Sequence, residues 1–246
     1  MKILDDIYIV GGGEYGIGIS HNSDCNIFLI DCGDEAVLID SGVGVDSGII
    51  IKNIENEGID KNKIKKLILT HAHLDHSGGA NVLKKVLDLK IYMSELEAPF
   101  LENADEEAIS LGIAKKSGIY PKEFKFQSAK VDEKLKGNET IKVGKYNLKI
   151  FPTPGHSKGS ICILLERHEK KVLFSGDTVF MRGLLSLQNV YDSSLEDYKK
   201  GIENINKLEI DSLIPSHYGF TLNFGSKHIN MAANALKELS IPRMAW

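Results

Sequence analysis

The chain has 246 residues, 42% of them hydrophobic and 26% charged, with a formal net charge of -4. That is enough chain to bury a substantial core, in one large α/β domain or two small ones, and the charge gives no reason to expect a nucleic-acid surface. No stretch approaches the roughly 18 apolar residues that a membrane-spanning helix needs. The three cysteines, Cys25, Cys32 and Cys162, lack zinc-finger or redox-motif spacing. Their odd number suits reduced thiols, each a small core residue in a strand, and so a cytoplasmic protein. Asp5 and Asp6 stand where a signal peptide would need an apolar run, which points the same way.

In chain order, residues 7–10 read as a strand, followed by Gly11-Gly12-Gly13, a turn without the Gly-Lys-Ser/Thr ending of a phosphate loop. Residues 26–31 and 36–40 form a hairpin, and Asp40 ends its second strand, where it could simply cap or turn the chain. A helix is expected over 49–57, stopping at Gly58. Residues 64–69 read as a buried strand, and 77–87 as a helix with Val82, Leu83, Val86 and Leu87 at helical spacing. After a strand at 90–93 the pattern changes. Helix formers dominate to Gly118, Pro121 breaks the run, and Phe124 and Phe126 follow. Residues 94–128 are expected to be a helical insertion: either a cap near the site, with Leu101, Leu111, Ile113, Phe124 and Phe126 as apolar contact area, or ordinary outer-layer packing. A polar hairpin then leads to strands at 148–151, 160–165 and 171–174, an amphipathic helix at 194–208 capped by Ser194 or Ser193, a strand at 211–214 and a last helix at 226–239.

Between the strand at 64–69 and the helix after it runs Thr70-His71-Ala72-His73-Leu74-Asp75-His76, with three histidines and a carboxylate inside six residues. A strand-to-helix turn exposes side chains at the carboxyl end of a sheet strand, where α/β sheets bind ligands. Imidazole and carboxylate suit zinc, manganese or iron, and no thiolate is offered.

This HxHxDH turn resembles that of the metallo-β-lactamase superfamily. Thr153-Pro154-Gly155-His156, Phe174-Ser175-Gly176-Asp177 and Ile214-Pro215-Ser216-His217 match its later motifs in order, from about residue 7 to residue 220. The resemblance implies one α/β domain over residues 1–246, a four-layer αββα sandwich of two mixed sheets flanked by helices. It assigns His71, His73 and His156 to one metal and Asp75, His76 and His217 to a second, with Asp177 bridging. Asp75 and Asp177 become catalytic residues, and Asp40 is read evenly as a turn residue or as a group orienting a ligand histidine. Tyr15, His21, Arg182, Tyr218 and His228 become candidates for substrate contact. A short internal echo, Leu67-Ile68-Leu69-Thr70-His71 against Leu213-Ile214-Pro215-Ser216-His217, suits two related halves.

Two cations about 3.5–4 Å apart bring a bridging water towards a neutral pKa and polarise the substrate, so no protein nucleophile is needed. The resemblance therefore implies a glyoxalase II-like or lactonase-like hydrolase, metal-bound hydroxide attacking a thioester, lactone or related ester of a small molecule. The expected cofactors are two divalent ions, zinc before iron or manganese; no nucleic acid or membrane partner is expected, and a homo-oligomer is compatible with the reading. The alternative is a mononuclear iron persulfide dioxygenase-like enzyme, with a phosphodiesterase or nuclease, or a non-catalytic metal-binding protein, ranked lower. Asp177 stands where common β-lactamases carry cysteine, Phe180 where acyl-homoserine lactonases carry tyrosine, and the Gly-Cys-Gly run of glyoxalase II is missing, so the substrate is not fixed.

Overall fold

The computed structural model describes residues 1–237 and 243–244. The chain divides into two compact units, Met1–Leu135 and Lys136–Trp246. The first holds β1 (Lys2–Leu4), β2 (Ile7–Gly11), β3 (Ile27–Asp31), β4 (Ala36–Ile39), α1 (Ser47–Asn56), β5 (Ile64–Ile68), α2 (Leu74–Ser77), α3 (Ala80–Leu87), β6 (Lys90–Ser94), α4 (Ala98–Asn103), α5 (Leu111–Lys116) and β7 (Glu133–Leu135). The second holds β8 (Thr140–Val143), β9 (Tyr146–Pro152), β10 (Ile161–Arg167), β11 (Lys170–Gly176), α6 (Leu195–Ile205), β12 (Ser212–Pro215) and α7 (Gly225–Lys237). The expected α/β class with two mixed sheets and helices is what the chain forms.

In the first unit seven strands lie in sequence order, β1 to β7. They run antiparallel through β4 and parallel from β4 to β7. Short turns join β1 to β2 and β3 to β4 and a longer loop joins β2 to β3, while each parallel step needs a crossover, and α1 and α3 supply two of them. Tyr8, Val10, Leu29 and Leu38 alternate into a core that also takes Ile50 and Ile54 of α1 and Leu83 and Leu87 of α3. Ile7, Ile9, Ile30 and Ile39 are buried as well, so these strands are covered on both faces. In the second unit the order is β12-β11-β10-β9-β8, antiparallel except for the parallel pair β11 and β12. Its core joins Cys162, Leu164 and Leu173 to Tyr198, Ile202 and Ile205 of α6 and Ile229, Ala232 and Ala233 of α7.

Several expectations change in detail. The single helix expected over 77–87 is two, beginning at Leu74 and broken at Gly78-Gly79. A Cβ on Gly79 would stand 2.1 Å from the Ser41 carbonyl oxygen, so the chain can pass the β4 exit only without side chains there. The insertion carries two short helices, α4 and α5, rather than a helical run to Gly118. Leu101, Leu111 and Phe126 belong to the first unit's core, so of the five apolar residues expected to offer contact area only Ile113 and the half-buried Phe124 are accessible. Cys162 is in a strand as expected, but Cys25 and Cys32 flank β3. The last two residues of the expected 226–239 helix lie outside the described residues. No helix among the described residues is long and apolar enough to cross a membrane.

Candidate functional site

Each unit carries candidate ligands where two parallel strands end side by side. In the first, β4 runs out into Asp40 beside β5, whose exit leads to His71, with Ile39 level with Ile68. In the second, β11 runs out into Asp177 beside β12, whose exit leads to His217, with Phe174 level with Ile214. The sequence echo is thus a repeated structural plan.

Asp40 anchors the first cluster. It is fully buried, with a left-handed φ of 62° that a residue other than glycine tolerates only under tertiary constraint. Its Oδ1 accepts the Thr70 backbone N–H at 2.8 Å, and the Thr70 hydroxyl lies within 3.0 Å of both carboxylate oxygens. The His76 Nδ1 stands 2.8 Å from Asp40 Oδ2. A carboxylate only accepts, so His76 carries its proton on Nδ1 and presents a lone pair at Nε2. The same logic runs through Thr70. Its hydroxyl proton goes to Asp40, its oxygen accepts from His71 Nδ1 at 3.1 Å, and the His71 lone pair is left on Nε2.

The resulting donor atoms face one another. His71 Nε2 is 3.0 Å from His73 Nδ1, and Asp75 Oδ2 is 3.4 Å from His76 Nε2. Two ligands of one tetrahedral ion, each about 2.0–2.1 Å from it, lie roughly 3.3 Å apart. The Ser77 hydroxyl donates to the carbonyls of Ala72 and His73 at 2.7 and 3.1 Å, holding the turn from beneath. Cys25, Asp40 and His76 also place ligand-type atoms within 4.8 Å of one another. Burial holds the Cys25 thiol well above its ordinary pKa, so it packs as a neutral neighbour of the imidazole.

The second cluster is assembled from three separate loops. His156 Nδ1 lies 2.8 Å from the Ser186 carbonyl oxygen, which can only accept, so its lone pair too is on Nε2. That Nε2 is 3.5 Å from Asp177 Oδ2, and His217 Nε2 is 3.5 Å from the same oxygen. One carboxylate oxygen therefore stands midway between two imidazole donors. Beneath it the buried Tyr198 hydroxyl reaches the Asp177 carbonyl at 3.2 Å and the Ser186 carbonyl at 2.9 Å. Gly155, at φ 145°, admits this ring, since a Cβ there would be 2.5 Å from Tyr198 Cγ. In both units the donor types and their spacing fit a divalent metal.

The substrate-contact candidates fall into groups. The His21 ring is 5.8 Å from that of Phe124, which in turn is 6.0 Å from that of Tyr120. The Arg182 N–H donates to His228 Nδ1 at 2.9 Å, and burial with the Lys227 charge lowers the His228 pKa. Tyr218 meets Phe180 edge to face, with centroids 5.8 Å apart. Tyr15 is exposed in the loop after β2. Residues without a sequence signal of their own are Glu97, whose carboxylate takes the Ala72 N–H, Tyr120, Ser186 and Tyr198. Only the amphipathic pattern of α6 marks Tyr198, and it marks burial rather than the task of its hydroxyl.

A model of the metallo-beta-lactamase superfamily matches residues 22–217. An acyl-coenzyme A thioesterase of Bos taurus is 26% identical over 238 residues, covering 88% of this chain and 80% of the relative. A hydroxyacylglutathione hydrolase of Haemophilus influenzae is 34% identical over 150 residues, covering 61% of this chain and 63% of the relative. Among solved structures, a subclass B3 metallo-β-lactamase of Bradyrhizobium japonicum aligns with a TM-score of 0.73 at 21% identity, over 97% of this chain and 90% of that one. At that identity the likeness is one of fold.

Proposed function

The chain belongs to the metallo-β-lactamase superfamily, and on that footing we propose that this metal-binding hydrolase uses two divalent ions to cleave thioesters of small molecules. Thioester is preferred to lactone because relatives from two different groups, the coenzyme A thioesterase and the hydroxyacylglutathione hydrolase, are both named for thioester substrates. The observation that carries the dinuclear reading is the Asp177 oxygen standing 3.5 Å from both His156 Nε2 and His217 Nε2. A carboxylate so placed can serve two ions at once.

In this reading His71, His73 and His156 hold one ion, Asp75, His76 and His217 the other, and Asp177 both. Zinc suits these nitrogen and oxygen donors, and iron or manganese would accept the same set. Bound ions would supply Lewis-acid polarisation of the acyl carbonyl and a water acidic enough to ionise near neutral pH. The chain's own part is orientation. Asp40, Thr70 and the Ser186 carbonyl fix the protons of His76, His71 and His156 on Nδ1, so the ligand lone pairs are set before substrate arrives. Asp75, partly open to solvent, is the carboxylate placed to take the proton released by water and return it to the departing thiolate. As water adds to the acyl carbon, the C–S bond breaks and carboxylic acid and thiol leave. The 94–128 segment is proposed to select the acyl group through Phe124 and Ile113.

Elemental analysis of protein purified without chelator tests this together with a panel of thioesters, lactones, esters and phosphodiesters. About two ions per chain and fastest turnover on thioesters are expected. One iron per chain with thiol-dependent oxygen consumption would replace the reading with the dioxygenase one, and no tightly held metal would overturn both.

A further inference from the structure

Two side chains of the 94–128 segment reach the HxHxDH turn itself. Glu97, buried just ahead of α4, accepts the backbone N–H of Ala72 through Oε2 at 2.5 Å, between His71 and His73. The Tyr120 hydroxyl, beyond α5, hydrogen-bonds the Asp75 carboxylate. A phenol hydroxyl can donate and a carboxylate can only accept, so the bond runs from Tyr120 to Asp75. Tyr120 is fixed in turn by Phe124 and by the core of its unit.

The two contacts grip opposite ends of the turn. The peptide N–H held by Glu97 sets the path of the chain from one histidine to the next. The phenol of Tyr120 takes up lone-pair capacity on Asp75, which limits how that carboxylate can rotate and donate. Outer hydrogen bonds of this kind orient ligands and tune their donor strength. An insertion that served only as a substrate cap would need neither contact. A buried carboxylate and a half-buried phenol are costly to place without partners, and both find theirs on the turn.

We propose that the 94–128 segment is an outer brace of the metal-ligand turn, with Tyr120 and Glu97 as positioning residues that set how tightly the ion at Asp75 is held. This rests on the reading of the 71–76 turn as a metal-ligand turn. Tyr120→Phe keeps the ring and its packing on Phe124 but removes the hydroxyl, and Glu97→Gln keeps the shape but removes the charge. The full chain, loaded with zinc or cobalt, is titrated with a competing chelator, and cobalt absorption reports the ligand geometry.

Each variant is expected to hold one of its two ions about 10–100-fold more weakly than wild type, with a shifted cobalt spectrum. Ile119→Ala, at an exposed position of the same segment that makes neither contact, is expected to leave metal affinity near wild type. Folded Tyr120→Phe and Glu97→Gln proteins that keep both ions at wild-type affinity and spectrum would overturn the brace. If one variant does not fold, the other decides the question by the same measurement. Wild-type protein that holds no metal would instead overturn the function proposed above.

Discussion

In the first unit, four candidate donors come from residues 71–76, whereas in the second three come from separate loops at 156, 177 and 217. Both reach donor pairs 3.0–3.5 Å apart. The short turn achieves this through its own backbone and needs outside help mainly to fix ring protons, which Asp40 and Thr70 provide. The dispersed cluster has no local chain geometry to rely on. Its loops are tied by tertiary contacts, above all the Tyr198 hydroxyl shared between the Asp177 and Ser186 carbonyls. Ligand spacing is therefore a local property in one unit and a packing property in the other.

Substitutions can break or sharpen that contrast. The largest effect is expected from Asp177→Ala, which removes the carboxylate oxygen that faces both His156 and His217. Loss of several kcal/mol of transition-state stabilisation corresponds to a fall in kcat/KM of about 10³-fold or more. His168→Ala, in the exposed β10–β11 turn, should leave kcat/KM unchanged under the same saturating metal. Equal rates for the two variants would dismantle the bridge.

Next, Asp40→Asn keeps a side chain that accepts left-handed φ but replaces an obligate acceptor by an amide. It should weaken metal binding about 10–100-fold in chelator competition, with melting temperature much less affected. Tyr198→Phe should do the reverse. It leaves two buried carbonyls short of a donor at a cost of about 1–3 kcal/mol, read in denaturant melts, with the metal loss following from the loosened loops. If both variants showed the same ratio of stability loss to metal loss, local and packing-borne spacing would not differ.

Smaller effects test regions away from the ligands. Phe124→Ala should raise KM for long-chain thioesters about 3–10-fold and leave kcat alone, since apolar contacts made equally in ground and transition states act on KM. Unchanged long-chain KM in a folded variant would remove acyl selection from the 94–128 segment. Ser194→Ala, which removes the side-chain acceptor for the Asp197 N–H at the start of α6, should cost about 1 kcal/mol in a melt without altering turnover.

The contrast also explains what could be read in the sequence. The continuous apolar runs of β2, β3 and β4 and the helical spacing in α1 and α6 are local, and their strands and helices fall within a few residues of expectation. The contiguous 71–76 turn was legible for the same reason, while His156, Asp177 and His217 needed the order of whole motifs. The three-residue strands β1 and β7 had too little pattern to show. The break at Gly78-Gly79 depends on the Ser41 carbonyl, far away in sequence. Glu97 and Tyr120 were unreadable because their partners depend on the path of largely irregular chain between α4 and β7.

The partners of the ring protons differ in one more way. His76 leans on the side chain of Asp40, which a single codon change can lengthen, neutralise or delete. His156 leans on the main-chain carbonyl of Ser186, which every substitution at that position except a shift of the loop itself preserves. Mutational drift can thus retune the first histidine in small steps but leaves the second almost unreachable. In a selection for altered metal preference, accepted changes should gather around residue 40 and be sparse at residue 186.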